Sequence, residues 1–131
     1  MTRRALLRAL AATVSLAGCL SPTLPLPPPE APLGVEDTGK AASEGSTETV
    51  WLVRGACSPG ALVLVENEAT GRIFGLEDDD ADGRYSIGID AVACDYATVW
   101  QIVGDTQSAR TGFFVTPTQS GLADEAACAA P

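Results

Sequence analysis

The chain has 131 residues, with 8 Lys and Arg against 17 Asp and Glu, no histidine and a formal net charge of −9. This length fits one domain with tails, and the acidic balance excludes nucleic acid as a partner, because phosphate binding needs a basic surface. Without histidine the usual serine and cysteine triads are excluded as well. Paired carboxylates could still do acid–base chemistry, but no run suggests a cleft, so we expect no enzyme activity and no cofactor.

Residues 1–18 have the three parts of a secretory signal peptide. Arg3, Arg4 and Arg8 form a positive start, residues 9–17 are mostly apolar, and small residues precede Cys19. The apolar run is shorter than the roughly 20 residues that a membrane-spanning helix needs. Cleavage after residue 18 would remove three basic residues and no acid, leaving 5 against 17 and a net charge of −12.

The end of this segment, Leu16-Ala17-Gly18-Cys19, resembles the lipobox of bacterial lipoproteins. The resemblance implies cleavage before Cys19, a diacylglycerol on its sulfur and an acyl chain such as palmitate on its new amino group. Several chains anchor a protein stably, since each buried CH₂ contributes about 0.8 kcal/mol. Leu20, rather than aspartate, follows the cysteine, and in Gram-negative lipoproteins this implies transport to the outer membrane. The membrane is therefore the first expected partner.

Residues 2–8, TRRALLR, also resemble a twin-arginine signal, which exports proteins that have already folded. Leu6 stands where phenylalanine is commonest, so the match is partial. No cofactor motif downstream requires folding before export, and the general secretory route is therefore favoured.

A linker is predicted over residues 19–48, after the lipidated cysteine. Six of the eleven residues 22–32 are proline, which favours a semi-rigid polyproline spacer of roughly 34 Å. Residues 33–48, LGVEDTGKAASEGSTE, are polar and predict flexible coil. A proline-rich tract can also bind SH3-like grooves, but behind a lipid anchor the spacer is the stronger interpretation.

Short apolar runs dominate residues 49–116 and predict an all-β domain. They are rich in Val, Ile and aromatic residues and are separated by Gly, Pro, Asp and Ser. Tyr85, Ile87 and Ile89 alternate with small or polar residues, which indicates one buried face. Six to seven such strands predict a small antiparallel Greek-key β-sandwich, followed by a tail over residues 117–131. The six runs are 49–55, 61–67, 72–78, 84–90, 96–104 and 109–117.

Two motifs in residues 49–116 resemble the bacterial Ig-like domains of surface and secreted proteins. The first is the opening GACSPGALV over residues 55–63, and the second is an acidic turn before an aromatic residue with a late serine. The matching residues are Gly55, Ala56, Pro59, Gly60, Val63, Asp80, Asp82, Gly83, Tyr85 and Ser108. The sequence DADGRYSI also resembles the transthyretin-like regulatory domains of carboxypeptidases. Both resemblances imply a Greek-key sandwich, and neither family has a common catalytic residue, so the expected role is adhesive, structural or accessory.

Asp78, Asp80 and Asp82 stand at alternate positions before Gly83 and match the first half of an EF-hand calcium loop. The twelfth position of that loop needs a bidentate glutamate, and Ile89 stands there instead. An acidic turn between two strands is therefore the favoured interpretation. The alternative function is a calcium-dependent carbohydrate-binding module, with a polysaccharide as partner in place of an envelope protein.

Trp51 and Trp100 could form an exposed aromatic platform, but both lie inside apolar runs, so burial is favoured.

The cysteines give a further prediction. With Cys19 lipidated, an odd number remains in an oxidising compartment, so one pair and one free thiol are expected. If six strands alternate up and down, Cys94 and Cys128 fall at one end of the sandwich and Cys57 at the other. We therefore predict a Cys94–Cys128 disulfide, with a Cys57 pairing as the alternative.

Overall fold

The computed structural model describes residues 24–117 and Cys128, and in this part the chain is all-β. The strands are β1 (Gly34–Ala41), β2 (Thr49–Ala56), β3 (Leu62–Asn67), β4 (Arg72–Glu77), β5 (Arg84–Ala91), β6 (Tyr96–Val103), β7 (Thr106–Gln107) and β8 (Thr111–Phe114). They form two antiparallel sheets, one ordered β1-β2-β5 and the other β4-β3-β6-β7, with β8 also paired to β6. With β1, β2 and β5 as strands A, B and E, and β3, β6 and β8 as C, F and G, the strand arrangement is that of an Ig-like Greek-key sandwich. The predicted fold class is confirmed.

The core lies between the two sheets and follows from the alternation of side chains along each strand. In β5 the aromatic and isoleucine side chains point inward, and the register with β2 is regular from Thr49↔Ala91 to Ala56↔Arg84. The second sheet packs small and branched side chains from β3 and β6, and an aromatic ring from β8, against this face. The core residues are Val35, Trp51, Val53, Val63, Val65, Tyr85, Ile87, Ile89, Ala91, Ala97, Val99, Phe113 and Val115.

Each of the six predicted apolar runs contains one strand, and two further strands were not predicted. The first, β1, lies in the segment for which flexible coil was predicted, and that prediction is wrong for Gly34–Ala41. Its backbone pairs with β2 from Gly34↔Arg54 onward, while Val35 is its single buried side chain. The sandwich therefore begins at Gly34 and not at Thr49. The second, β7, has only two residues.

Residues 27–33, here called the strap, pack against the sandwich. The Pro27 carbonyl accepts a hydrogen bond from Gln101 Nε2 at 2.7 Å, and the Pro29 carbonyl accepts one from Thr111 Oγ1 at 2.5 Å. The Leu33 amide donates to the Arg54 carbonyl at 2.8 Å. Proline lacks an N–H group but keeps its carbonyl acceptor, so a proline-rich segment can still be held by donors on a neighbouring surface. The predicted semi-rigid spacer is therefore wrong for residues 27–32, and the predicted coil is wrong for Leu33, because these residues are bound to the sandwich.

Ser108 explains the break between β7 and β8. Its amide donates to the Gln101 carbonyl at 2.9 Å, and its hydroxyl accepts the Gln101 amide at 3.0 Å. The same hydroxyl donates to the Ala109 carbonyl at 2.8 Å. A serine side chain thus satisfies a strand amide where the ladder is interrupted, which gives the late serine of the Ig-like motif a structural role.

Both tryptophans are buried, each 3% exposed, as predicted. Trp51 lies in the core and donates from Nε1 to the Ala91 carbonyl at 3.2 Å. Trp100 alternates with the core residue Val99 and so lies on the other face of its sheet. The Arg110 guanidinium covers it, 3.8 Å from the ring centroid. Neither ring offers an exposed binding platform.

The strands end at two poles of the sandwich. The strap pole consists of the loops 57–61 and 78–83 and the turn 104–105, next to the start of the strap. The disulfide pole consists of the loops 42–48, 68–71 and 92–95.

The disulfide pole carries the predicted bond between Cys94 and Cys128, whose Cα atoms are 5.2 Å apart. Backbone hydrogen bonds of 2.8 Å also tie the loop 92–95 to the end of β8, from the Cys94 amide to the Val115 carbonyl and from the Val115 amide to the Asp95 carbonyl. Cys57 follows β2 at the strap pole and is the free cysteine of the described residues. The predicted order of six alternating strands placed Cys94 and Cys128 at one end of the sandwich and Cys57 at the other. The described residues show the same separation, although two further strands are present.

Candidate functional site

The two Ig-like motifs of the sequence meet at the strap pole. One provides the loop 57–61 between β2 and β3, and the other provides the loop 78–83 between β4 and β5. The Cys57 amide donates to the Gly83 carbonyl, and the Asp78 amide donates to the Ala61 carbonyl, each at 2.9 Å. The two loops therefore lie side by side as one surface.

Asp78 joins these loops through its side chain, which is 6% exposed. Its Oδ2 atom accepts the Gly60 amide at 3.0 Å and the Gly83 amide at 2.9 Å. Both glycines have positive φ, 77° and 75°, a conformation that other residues rarely adopt. The Gly60 hydrogen bond first, and the Gly83 hydrogen bond after it, hold the pKa of Asp78 below its ordinary value. Each motif thus contributes one glycine, Gly60 or Gly83, whose amide binds the same carboxylate of Asp78.

Asp80 and Asp82 are exposed and make local turn contacts. Asp80 Oδ1 accepts the Asp82 amide at 3.3 Å, and Asp82 Oδ1 accepts the Arg84 amide at 2.9 Å. The hydrogen bond between the side chains of Asp78 and Asp80 raises the pKa of Asp80. These contacts are those of an Asx-rich turn joining two strands.

The three carboxylates could nevertheless share a cation, because one oxygen from each lies within 4.8 Å of the others. Calcium takes six to eight oxygen ligands, and an EF-hand completes its set with a glutamate at the twelfth position. Ile89 occupies that position and lies fully buried in the core. Closure of the EF-hand type is therefore not available at this loop, and only part of a calcium ligand set is present.

An open groove of about 1020 Å³ runs beside the acidic loop. Its walls combine apolar side chains, carboxylates and two arginines: Leu33, Arg54, Leu76, Asp78, Asp80, Asp82, Arg84 and Tyr85. Tyr85 is 4% exposed, and its hydroxyl has no hydrogen-bond partner among the described residues. Burial raises the pKa of Tyr85, so the phenol stays neutral. The groove could not be predicted from the sequence, because its walls come from three separate segments.

Cys57 is a half-buried thiol near Asp78 and Asp82 of the acidic loop. Burial raises its pKa, and the negative charges of Asp78 and Asp82 raise it further. Nucleophilic cysteines are instead activated by positive surroundings that lower the pKa. Since the chain also has no histidine to act as a base, this thiol has the environment of an inert cysteine.

Comparisons with protein-family models, with curated proteins and with solved structures found no match. Among the described residues, no helix has the length and apolar character needed to cross a membrane. The predicted signal peptide, Cys19 and most of the predicted tail lie outside the described residues. The lipobox therefore stays a prediction from the sequence.

Asp78→Asn is expected to destabilise the sandwich clearly at neutral pH, because a neutral amide replaces a carboxylate that accepts two amides. The pKa of Asp78 is lowered by folding, so its contribution is full above its ordinary value of 3.8 and disappears as the pH falls below it. The difference in urea midpoint between wild type and Asp78→Asn should therefore shrink in acid.

Asp80→Asn is the matched control for this prediction. Asp80 is exposed and its contacts are local, so its replacement should change the midpoint little at neutral pH. Equal losses from Asp78→Asn and Asp80→Asn would contradict the role of Asp78 as the link between the two loops.

Proposed function

We propose that this chain is a membrane-anchored envelope lipoprotein of the bacterial outer membrane, with a non-catalytic Ig-like domain that acts in adhesion, in envelope structure or as an accessory subunit. The observation that carries the proposal is the sequence Leu16-Ala17-Gly18-Cys19 behind an arginine-rich, apolar segment. Attachment of lipid to Cys19 makes the membrane its first partner, and an envelope protein or polysaccharide its second.

The contacts at the strap pole support a non-catalytic role. The residues that the Ig-like motifs emphasise are used to join loops and strands: Asp78 holds two glycine amides, and Ser108 replaces a ladder contact. The free thiol of Cys57 is held in its neutral form by burial and by nearby acids. Asp78 and Ser108 therefore stabilise the fold, and Cys57 is unreactive. This is what a domain that binds or spaces other molecules requires.

Cys19→Ala is expected to abolish acylation and to release the protein from the membrane fraction, because the lipid is the proposed anchor. Metabolic labelling with a radioactive fatty acid and fractionation after a carbonate wash measure both effects. Cys57→Ala is the matched control and should keep the label and the membrane location. A Cys19→Ala chain that stays in the washed membranes would refute the proposed anchor.

A calcium-dependent carbohydrate-binding module is the alternative function. The observation that favours it is the closeness of the three carboxylates beside a groove of about 1020 Å³. A thermal melt in millimolar calcium and in EDTA tests it, since a ligand that binds only the folded state raises the melting temperature. A rise of a few degrees that is lost in Asp82→Asn would support the module. Identical melts would remove it.

A further inference from the structure

The strap fixes the point at which the chain enters the sandwich. Gln101, which is 2% exposed, holds the Pro27 carbonyl and also accepts the Ser58 amide at 2.7 Å through Oε1. Thr111 holds the Pro29 carbonyl from the neighbouring strand. Pro29 and Pro32 are buried under these contacts. From Pro27 onward, the chain is therefore part of the folded domain and not part of a tether.

This attachment shortens the tether to the proposed lipid. A free linker from Cys19 to Thr49 could place the domain about 100 Å from the anchor when fully extended, at roughly 3.3–3.6 Å per residue. Among the described residues, the side-chain hydrogen bonds of the strap begin at Pro27, eight residues after Cys19. Eight residues reach about 29 Å at most. The end of the domain next to the start of the strap is therefore held much closer to the bilayer than a free linker would hold it.

Leu24 lies at the strap pole. With Pro25 and Leu26 it lines a small cavity against Val103 and Thr106, on either side of the turn 104–105. β6 runs from the disulfide pole to this turn, and an eight-residue strand is about 27 Å long. The loop 68–71, at the far end of β3, is thus separated from Leu24 by the length of the sandwich.

Exposed apolar side chains gather at the same pole. Of the eight large apolar side chains that are exposed in the described part of the chain, five lie at or next to the strap pole and three do not. The five are Leu24, Leu33, Leu62, Leu76 and Val103, and Leu24 is 86% exposed. Apolar side chains clustered on a surface mark an interaction site more often than scattered ones do. The acids of the loop 78–83 at this pole favour a zwitterionic headgroup region over an anionic one, since like charges repel.

We infer that the strap pole is the membrane-facing surface of the domain, held against the lipid headgroups by the strap. The inference rests on the proposed acylation of Cys19. It adds an orientation to that proposal, because a domain on a long free tether would have none.

The test compares two fluorophore positions in the full-length lipidated protein. In a Cys57→Ser background, a single cysteine is introduced at the strap pole by Asp105→Cys or at the disulfide pole by Ala69→Cys, and is labelled. The protein is placed in phosphatidylcholine–phosphatidylethanolamine vesicles that carry a nitroxide on the headgroup. Because nitroxide quenching acts only at short range, we expect several-fold stronger quenching at position 105 than at position 69. Intact mass measured on the same sample reports whether Cys19 is acylated.

Strap variants show whether the strap causes the orientation. Gln101→Ala with Thr111→Val removes both side-chain donors and should reduce the difference between positions 105 and 69, while Gln107→Ala, an exposed neighbour on β7, should keep it. The comparison of the two positions in the otherwise unchanged strap stands even if the double variant does not fold. Equal quenching in an acylated protein would overturn the inference and leave the lipoprotein proposal intact. A mass without acyl groups would overturn both.

Discussion

Replacing both Cys94 and Cys128 with alanine is expected to lower the free energy of unfolding by about 3–4 kcal/mol. The disulfide closes a loop with a sequence separation of 34. In the chain-entropy model, such a cross-link destabilises the unfolded chain by this amount. The effect is large for a sandwich of this size, since small domains are only marginally stable. Urea unfolding of the variant and of the wild type, each with and without a reductant, measures the difference.

The free thiol provides the control for the disulfide. Cys57→Ala should unfold near the wild-type midpoint in oxidising buffer and should respond to the reductant as the wild type does, because Cys57 is not bonded among the described residues. The double variant should not respond to the reductant at all. If reduction leaves the wild-type midpoint unchanged, the disulfide does not contribute to stability.

Gly55→Ala is expected to destabilise the sandwich by about 1–3 kcal/mol, the range for overpacking a filled interior. Gly55 lies on β2 directly opposite Tyr85 on β5. A Cβ atom at position 55 would lie 2.6 Å from the tyrosine hydroxyl oxygen and 2.7 Å from the ring carbon that carries it. Tyr85 is part of the core and is 4% exposed, so its ring cannot simply turn toward solvent away from a new Cβ atom. Urea unfolding monitored by tryptophan fluorescence measures the loss.

Gly112→Ala is the matched control, because Gly112 also lies on a strand beneath a tyrosine, Tyr96. Here the tyrosine is 46% exposed and can turn toward solvent. The change should cost no more than about 1 kcal/mol, the scale of the edge-to-face contact between Tyr96 and Phe114 that it would disturb. A loss from Gly112→Ala as large as that from Gly55→Ala would show that burial of Tyr85 does not decide the effect.

The six strands with alternating or continuous apolar residues could be predicted from the sequence, because burial on one face leaves a pattern with a period of two. β1 could not be predicted in this way. Its side chains other than Val35 lie mostly in solvent, and the backbone pairing with β2 leaves no trace in the choice of residues. The polar composition of residues 33–48 therefore indicated coil although half of the segment is strand.

The contacts of the strap could not be predicted from the sequence either, because they join residues that are far apart in the chain. Composition correctly marks residues 22–32 as proline-rich, but it cannot indicate where the carbonyl groups of such a segment bind. The donors Gln101 and Thr111 are 74 and 82 residues away from the prolines they hold. Nothing local distinguishes Gln101 from an ordinary polar residue in a strand. Only the three-dimensional arrangement of β6 and β8 brings these donors to the strap.

At the acidic loop, the residue types were visible in the sequence but their separate roles were not. Asp78, Asp80 and Asp82 form one regular pattern, yet Asp78 is buried and joins two loops, while the other two are exposed. Alternation along β4 places position 78 on the same face as the half-buried Phe74, and this spacing is a signal that could have marked Asp78. The partner glycine Gly60 comes from the other motif, and their contact needs the folded sheets.

The long range of the strap contacts sets an order of events during folding. Contacts between residues far apart in sequence form late, because closing a long loop costs more chain entropy than closing a short one. Pro27 and Pro29 have no side-chain donors to bind until β6 and β8 are in place, because Gln101 and Thr111 lie on these strands. The two sheets therefore form first, and binding of the strap completes the domain.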